Sequence, residues 1–377
     1  MPNKSHPIFD VYFWQRIVTP HMANLAEALG AQGHAVTYVA NKSLSPDREQ
    51  MGWIAPVLKQ AQLCIAANAN EVTQVVLNVP AESIHICQGL RGNGLVSIAQ
   101  QELAKRRVRQ WVIMETVDDA GFFGLLRWAM YRWLFMRRQK TLQGVLAIGW
   151  KTSDWLITCG VPQNRIFPFA YFLSDAISSV KRTREGGRPF RFMFVGQLIE
   201  RKRVDHLIQA LAKCLAYDFE FVIVGDGPMR TRWEAIASEV LPNRVRWEGR
   251  ISMDEVPQQL ANADCLVLPS RHDGWGAVVS EALMVGTTVV CSDACGSSGI
   301  VSESGFGGVF SSEDRDSLVF LLQQMLKRGA LSRDQRQEVV AWAKSLGAES
   351  SARYLCDILA YPNEHMKRPQ VPWQCEN

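Results

Sequence analysis

The chain has 377 residues, 47% of them hydrophobic and 21% charged, and its formal net charge is +4. This composition excludes a largely disordered chain, and the length exceeds what one hydrophobic core usually organises, so we expect two domains. The small charge gives no case for nucleic-acid binding, no apolar run is long enough to span a bilayer, and the nine cysteines lack zinc-site spacing. Because the N-terminus MPNKSHPIFDVYFW also lacks the apolar core of a signal peptide, we expect a cytoplasmic protein with reduced thiols.

The first half of the chain alternates strand and helix patterns. Residues 9–14 (FDVYFW) form the first predicted strand, after which Thr19 offers a helix N-cap and Pro20 suits the first helical position. A helix and the strand AVTYVA complete a strand, helix, strand unit. Further strands are predicted at 83–89, 109–117 and 144–150, and further helices at 94–106 and 122–141.

A domain boundary is predicted near PFAYFLSD (168–175), followed by KRTREGGRP as an exposed loop. Beyond it the same rhythm returns, with helices predicted from about Val204 and Met229. In SMDEVPQQLANA, Ser252 and Glu255 have capping-box spacing, although Pro257 favours a helix start at Asp254. The predicted strands of this half are 191–197, 219–227, 245–250, 264–270 and 287–293.

Continuous apolar strands that alternate with helices predict parallel sheets covered on both faces. We therefore expect an α/β protein of two Rossmann-like, doubly wound domains that face each other across a cleft. The predicted divisions are 1–172, 173–350, and a C-terminal helix and tail at 351–377 that packs back toward the N-terminal domain. Ligands of such sheets bind at the carboxyl ends of the strands, which points to the loops after Gly196, Gly225 and Ser270.

One glutamate stands in the otherwise small and apolar segment RHDGWGAVVSEALMVG (271–286). In a helix, Glu281 shares its face with Ala277, Val278, Met284 and Val285, three and four positions away. A carboxylate on such a face loses hydration that only a charged or hydrogen-bonding partner replaces. The pattern predicts a partner that is not protein, and the alternative is a structural ion pair or cap.

Two loops carry further chemistry. Arg201, Lys202 and Arg203 lie where a helix begins, and cations there oppose the helix dipole, which favours an anion held between them; the alternative is a solvated basic patch. In RHDGWG, Gly274 and Gly276 let backbone N–H groups approach a ligand. Asp273 and Glu281 can each bind a pair of vicinal hydroxyls, which a sugar offers.

Four segments together resemble the donor-binding domain of retaining glycosyltransferases with the GT-B fold, in the large family numbered four (glycosyl transferases group 1). They are FVGQLIERKRVDHLIQA (194–210), VIVGDGP (222–228), the strand DCLVLPS, and DGWGAVVSEALMVG with an acid, seven residues and then Glu281. The resemblance covers about residues 190 to 310, and the N-terminal half follows only in its fold pattern. Four motifs in the family's order within one domain make a specific match.

The resemblance implies a role for each matching residue. Lys202, with Arg201, neutralises the donor diphosphate; Asp273 holds the transferred sugar; Glu281 binds the nucleotide ribose. Two departures are Gln197, where the family often has arginine, and Asp273, which is shorter than the usual glutamate. The resemblance also places the backbone around Gly274 and Trp275 beside the sugar. With His21 added from its position at a helix start, the candidate catalytic set is Asp273, Lys202, Arg201 and His21. The candidate donor-binding set is Gly196, Gln197, Arg201, Lys202, Gly225, Arg250, Asp273, Gly274, Trp275, Gly276 and Glu281.

The family's chemistry requires no protein nucleophile, since the acceptor attacks the face that the leaving group vacates and the phosphate takes its proton. It also requires no metal and no cofactor beyond the nucleotide sugar, of UDP or GDP type. We interpret the pair Asp118 and Asp119 as a loop or cap feature rather than a metal site.

The first half is expected to bind the acceptor, a glycan or a lipid-linked molecule. In place of a glycine-rich first loop it has WQRIVTPHM, and His21, which opens a helix, can donate to a phosphate or sugar oxygen. For each acceptor candidate the alternative is a structural polar group with all its hydrogen bonds made. The candidates are Arg16, His21, His85, Arg91 and Glu115.

The segment GFFGLLRWAMYRWLFMRRQK (121–140) contains five basic residues and no acid. Tryptophans and cations at near-helical spacing are typical of a helix that lies among anionic headgroups, and the alternative is a core helix with snorkelling arginines. We therefore hypothesise peripheral contact with the cytoplasmic face of the inner membrane. The expected role is then bacterial surface polysaccharide or lipopolysaccharide assembly.

Other functions are weighed against this one. A dehydrogenase is disfavoured because RGNGLVS has two glycines and then departs from the dinucleotide fingerprint. A sugar-nucleotide epimerase or a phosphorylase on the same fold stays open, since a fold does not fix chemistry. A non-catalytic sugar-nucleotide-binding protein also stays open, because of Gln197 and Asp273.

Overall fold

The computed structural model describes residues 7–50, 53–119, 121–183, 189–361 and 367–374. The chain divides into two compact units, which we call unit 1 (Met1–Ser174 and Gly347–Asn377) and unit 2 (Asp175–Leu346). Of the predicted loop at 181–189, residues 184–188 lie outside the described part of the chain.

Unit 1 contains a seven-stranded sheet with helices on its faces. Its strands are β1 (Asp10–Ile17), β2 (Ala35–Lys42), β3 (Gln62–Ile65), β4 (Ile84–Gln88), β5 (Arg109–Glu115), β6 (Leu142–Ile148) and β7 (Ile166–Phe169). Its helices before unit 2 are α1 (Pro20–Ala31), α2 (Pro46–Gln50), α3 (Ala69–Asn78), α4 (Val96–Lys105), α5 (Gly121–Arg138) and α6 (Thr152–Thr158).

The strands of unit 1 are parallel and run in the order β3-β2-β1-β4-β5-β6-β7. The central strands are buried on both faces, as Phe13 and Ile86 are buried on one face and Trp14 and Cys87 on the other, which explains their continuous apolar sequence. The strand order reverses between β1 and β4. A crevice opens at such a switch point, at the carboxyl ends of the two strands.

Unit 2 contains a six-stranded parallel sheet in the order β10-β9-β8-β11-β12-β13, with its switch point between β8 and β11. Its strands are β8 (Phe190–Val195), β9 (Phe219–Val224), β10 (Val245–Gly249), β11 (Cys265–Leu268), β12 (Thr288–Ser292) and β13 (Gly307–Phe310). Its helices are α7 (Val204–Ala212), α8 (Arg230–Val240), α9 (Val256–Ala261), α10 (Ala277–Met284), α11 (Ser298–Ser304), α12 (Arg315–Arg328) and α13 (Arg333–Ala343). The prediction of two doubly wound α/β domains is confirmed.

The last helix, α14 (Ala348–Ala360), belongs to unit 1 and packs against α1. The Tyr354 hydroxyl donates to the Pro168 carbonyl at 3.0 Å, and the Cys356 sulfur lies 3.1 Å from Nε2 of His34. Among the described helices, none combines the length and the apolar character that crossing a bilayer requires.

One predicted N-cap, in α1, and one predicted helix start, in α9, need correction. Helix α1 does begin at Pro20, but the Thr19 side chain makes no capping hydrogen bond; its main-chain N–H donates to the Tyr38 hydroxyl instead. Helix α9 begins at Val256 rather than at Ser252 or Asp254. There the Glu255 carboxylate accepts from both the N–H and the hydroxyl of Ser252, which uses the capping-box pair to close a turn ahead of the helix.

Candidate functional site

In unit 2, two loops meet at the switch point of the sheet, one after β8 and one after β11. The first loop holds Lys202 in a single 3-10 turn (Glu200–Lys202) ahead of α7. Lys202 Nζ lies 2.5 Å from Oδ2 of Asp273 in the second loop, and Arg201 Nη1 lies 4.0 Å from Oδ1 of the same carboxylate. Arg201 Nη1 also donates to the His272 carbonyl at 2.7 Å. The Arg271 N–H donates to the Arg201 carbonyl at 2.8 Å, so the loops are joined by a main-chain bond as well as by charged contacts.

Lys202 is the charge that most needs this arrangement. Its side chain is only 11% exposed, and a buried ammonium is destabilising unless a counter-charge lies beside it. Asp273, itself 13% exposed, provides that charge. The resemblance assigns these residues to different parts of a donor, and the structure brings them into direct contact.

Arg203, the third cation of the basic loop, has a different environment. It adopts the left-handed conformation at φ 49° and stands as the N-cap of α7. Its Nη1 donates to the Ser312 carbonyl at 2.6 Å, and its Nη2 lies beside the ring nitrogens of His206. These contacts give Arg203 a structural role, so Arg201 and Lys202 are the cations that remain at the loop junction.

Glycine is required at two predicted positions of this edge. A Cβ on Gly225 would lie 1.9 Å from the carbonyl oxygen of Gly196, so the ends of β8 and β9 pack backbone to backbone. Gly276 begins α10 at φ 82°, and a Cβ there would lie 2.9 Å from Cδ2 of Leu268. Both glycines keep backbone close to the site, where a side chain would fill the space.

Within the predicted donor-binding set, the side chain of Trp275 is buried. Its indole is 3% exposed and donates to the Ser280 hydroxyl at 3.2 Å. The side chain is thus part of the core under α10. The predicted donor contact of Gly274 and Trp275 concerns their backbone and stays a prediction.

A third loop, Ala294–Ser297 after β12, was missed by the sequence reasoning. The Asp273 N–H donates to the Ala294 carbonyl at 3.1 Å, and the Gly296 N–H donates to the Asp273 carbonyl at 2.9 Å. The Ser297 hydroxyl is fully buried and has no hydrogen-bond partner among the described residues. The run of small residues CGSSG after a strand is the signal that could have identified this loop.

Glu281 is the fifth residue of α10 and is half-buried. Within the described part of the chain, its carboxylate forms neither a hydrogen bond nor an ion pair. Burial raises the pKa of Glu281 to about 7, because no neighbouring charge stabilises the ionised form. The alternative of a structural ion pair or cap is therefore not supported by the described contacts.

The other predicted donor residues of unit 2 follow the ends of strands β8 and β10. Gln197 is exposed just after β8, and Gly196 has φ 152°. Arg250 follows β10, the edge strand of the sheet, and its Nε lies 3.8 Å from Oδ2 of Asp226. Donor contacts by these residues stay predictions.

In unit 1, four of the five predicted acceptor residues line one cavity of about 830 Å³ at the carboxyl edge of the sheet. These are Arg16, His21, Arg91 and Glu115. The His21 ring stacks on Tyr171 with 4.7 Å between centroids, and the Tyr171 hydroxyl donates to the Glu115 carboxylate. Burial, with the nearby Arg48 charge, lowers the pKa of His21 to about 4, so its imidazole is neutral at pH 7. Sequence reasoning missed Gln15, Arg48, Trp53 and Tyr171, which line the same cavity.

The prediction that His85 faces a ligand is wrong. His85 is the second residue of β4 and is fully buried, whereas the carboxyl end of that strand is Gln88. Trp14 Nε1 donates to His85 Nδ1 at 2.9 Å, and His85 Nε2 lies 3.0 Å from the Ser83 hydroxyl. Burial lowers the pKa of His85 to about 3. Both ring nitrogens are satisfied, and the residue is a core histidine.

Part of the chain is similar in sequence to known proteins. Residues 177–342 match the family model of glycosyl transferases group 1. A 2-deoxystreptamine glucosyltransferase of Streptomyces kanamyceticus is 37% identical over 99 residues, which cover 26% of each chain. An alpha-D-kanosaminyltransferase of the same organism is 29% identical over 160 residues, covering 39% of this chain and 41% of that one. The chain thus spans well under half the length of these curated relatives.

Solved structures resemble the chain along nearly its whole length. HepE of Anabaena, solved in complex with UDP, has a TM-score of 0.73 at 14% identity and covers 94% of this chain and 100% of its own. The lipopolysaccharide outer core galactosyltransferase WaaB has a TM-score of 0.68 at 16% identity, covering 92% and 98%. At such identities the likeness concerns the fold. The chain therefore has the two-domain GT-B fold, and residues 177–342 of its unit 2 are similar to the glycosyl transferases group 1 family.

Proposed function

We propose that this protein transfers a sugar from a nucleoside-diphosphate sugar to an acceptor, with retention of configuration. The observation that carries the proposal is the half-buried carboxylate of Glu281, which lies without a described partner on the helix that follows the Asp273 loop. A desolvated carboxylate of this kind is stabilised by hydroxyl donors. Sugar and ribose hydroxyls supply such donors in pairs.

The paired charges of unit 2 suit the leaving group. As the glycosidic bond breaks, negative charge grows on the diphosphate and positive charge on the sugar ring. Lys202 and Arg201 both lie at the loop junction, so two cations are close to the place where that negative charge grows. When Lys202 turns from Asp273 to the phosphate, the Asp273 carboxylate is released toward the sugar hydroxyls.

The proposal also specifies a class of donor and a site for the acceptor. Because HepE binds UDP, UDP sugars are the first donors to test, with GDP sugars next. The unit 1 cavity is the acceptor site in this proposal, and the acceptor is a glycan or a lipid-linked glycan of the kind used in surface polysaccharide or lipopolysaccharide assembly. No protein nucleophile and no metal are required, since the donor phosphate takes the acceptor proton.

The decisive assay measures release of nucleoside diphosphate from a nucleotide sugar in the presence of membrane extract, with EDTA throughout. We expect release that depends on the extract and that falls at least a hundredfold in Lys202→Ala, since removing a preorganised charge costs ~3 kcal/mol of transition-state stabilisation. An epimerase would change the sugar without releasing nucleotide. A non-catalytic protein would bind the donor without turnover, and either result contradicts the proposal.

We also propose that α5 places the protein on the cytoplasmic face of an anionic membrane. Only Gly124 and Phe135 of this helix are buried, so the alternative of a core helix is not favoured. Its exposed apolar side chains are Phe122, Phe123, Leu125, Leu126, Trp133 and Met136. Arg137 lies over the Trp133 ring at 5.2 Å, which sets a cation beside the apolar face. This pairing suits anionic headgroups above acyl chains.

Liposome flotation tests the membrane contact. We expect recovery with liposomes that contain anionic lipid to exceed recovery with neutral liposomes, and to fall in Phe122→Ser with Phe123→Ser. Phe320→Ser is the matched control, because Phe320 is 59% exposed and lies in unit 2. Equal recovery with both kinds of liposome contradicts the proposed contact.

A further inference from the structure

The cavity of unit 1 is strongly cationic. Four basic side chains line it, from four different segments: Arg16 at the end of β1, Lys42 at the end of β2, Arg48 in α2 and Arg91 after β4. Glu115 is the one acid among the described residues of the lining, and its carboxylate accepts a hydrogen bond from the Tyr171 hydroxyl. Among the described residues, none of these four cations forms a salt bridge. The cavity therefore carries an excess of positive charge.

Two buried nitrogen atoms of residues that line the same cavity have no hydrogen-bond partner among the described residues. Gln15 is 3% exposed, and its Nε2 has no hydrogen-bond partner in the described part of the chain. His21 Nδ1 is likewise buried and unpartnered among the described residues. A buried amide donor without an acceptor is destabilising by about 1–3 kcal/mol. Such a group in a lined cavity is explained by a ligand that supplies the acceptor.

Aromatic surfaces complete the lining. Tyr171 stacks on His21, Trp53 lies under the Arg48 guanidinium at 4.2 Å, and Tyr131 reaches the cavity from α5. A few polar groups among aromatic rings is the usual composition of a small-molecule site. The volume of about 830 Å³ admits a ligand of one or two sugar rings with an attached group.

We infer that this cavity binds the acceptor through a phosphate or diphosphate group rather than through a neutral glycan alone. The inference rests on the proposed sugar transfer. Arginines bind phosphate oxygens with two parallel hydrogen bonds, and a concave site concentrates their field. In this proposal the Arg48 and Arg91 guanidinium groups bind the anion, and the Gln15 amide donates a hydrogen bond to one of its oxygens.

Calorimetry with inorganic pyrophosphate tests this inference. We expect two sites on the full-length protein, one in the cavity and one at the Lys202 loop. Arg48→Gln with Arg91→Gln removes the first site, with affinity falling at least tenfold, while Lys202→Gln removes the second. Arg48→Lys with Arg91→Lys keeps the charge but loses the paired hydrogen bonds, so its cavity affinity should fall between those of the wild type and the glutamine variant. Arg109→Gln is the matched control, because Arg109 is exposed at the amino end of β5 and should leave both sites.

Farnesyl diphosphate then distinguishes the source of the phosphate. Binding at the cavity at least tenfold tighter than pyrophosphate identifies a lipid-linked acceptor, and equal binding identifies a soluble sugar phosphate. A cavity variant that binds pyrophosphate like Arg109→Gln overturns the inference. The titration uses neither donor nor transfer, so it stays readable if the proposed enzymatic activity fails.

Discussion

Asp273 and Lys202 show most clearly how one residue's role depends on its neighbour. Without a donor, Asp273 is the counter-charge of a nearly buried lysine at 2.5 Å. A donor diphosphate would compete for the same ammonium. Asp273, eight residues before Glu281, is therefore expected to tune phosphate affinity as well as to hold the sugar.

Replacing Asp273 with asparagine separates these two roles. In Asp273→Asn, Lys202 loses its counter-charge and attracts a diphosphate more strongly, while the charged contact to the sugar is lost. We expect the affinity for the nucleoside diphosphate to rise relative to that for the nucleotide sugar by about tenfold, or ~1.4 kcal/mol. Calorimetry with both ligands measures the ratio. Asp218→Asn, an exposed control before β9, should leave it unchanged; an equal change for both ligands in Asp273→Asn contradicts the assignment.

The raised pKa of Glu281 makes stability depend on pH. Its ordinary value is 4.5, and burial raises it to about 7 in the folded protein. Between these values the folded state holds a proton that the unfolded state has released, so the ligand-free protein loses stability as the pH rises through this window. The loss is at most on the order of 3 kcal/mol.

Urea unfolding at pH 5 and pH 7.5 measures this effect. The wild type should lose stability relative to Glu281→Gln between the two pH values, because glutamine does not titrate. Glu239→Gln, on the exposed side of α8, should follow the wild type. A difference between wild type and Glu281→Gln that stays constant with pH would show that the carboxyl is not desolvated.

The roles of individual residues were harder to predict from the sequence than the fold was. Glu281 was identified because a charge among apolar residues conflicts with burial. His85 was misplaced, because its position near the amino end of β4 matters more than its being on a predicted strand. Trp275 could not be assigned to the core either, since its Ser280 partner lies five residues on in the next helix. Tertiary contacts decide such cases.

At the scale of elements, most strand positions were predicted well, and the candidate site residues follow strand ends. Buried central strands such as β8 and β11 have continuous apolar sequences that are hard to mistake. The short edge strands β3, β7 and β13 were missed, since QLCI and GGVF are only four residues long and IFPF contains Pro168. Helix α9 was placed a turn early because its capping pair closes a preceding turn.

The strand ends of unit 2 can be tested by comparing two glycines. In Gly225→Ala, the new Cβ would meet the Gly196 carbonyl at 1.9 Å in a backbone of φ 134°, so both contact and strain oppose it. We expect a loss of about 3 kcal/mol in the free energy of unfolding, with donor affinity reduced as well. Gly329→Ala has φ 77° but open space around the new Cβ, and it should cost about 1 kcal/mol. Equal losses in urea unfolding would contradict the close packing of β8 and β9.

At the scale of the whole molecule, each unit has its candidate site at the switch point of its own sheet. The sequence predicted unit 2 in more detail, because four motifs of one family fall within it. Unit 1 has no such motif, so its cationic cavity emerges only when Arg16, Lys42, Arg48 and Arg91 are brought together by the fold. The predicted boundaries at 172 and 350 stand beside observed ones at Ser174 and Leu346.

The proposed sugar transfer depends most on Glu281 as the ligand of a nucleotide ribose. Calorimetry should use whichever nucleoside diphosphate, UDP or GDP, raises the melting temperature of the wild type. We expect Glu281→Ala to bind it about 10- to 100-fold more weakly, as a charged hydrogen bond contributes ~1.5–3 kcal/mol, while Glu239→Ala binds like the wild type. Unchanged affinity in a folded Glu281→Ala protein would contradict the central claim.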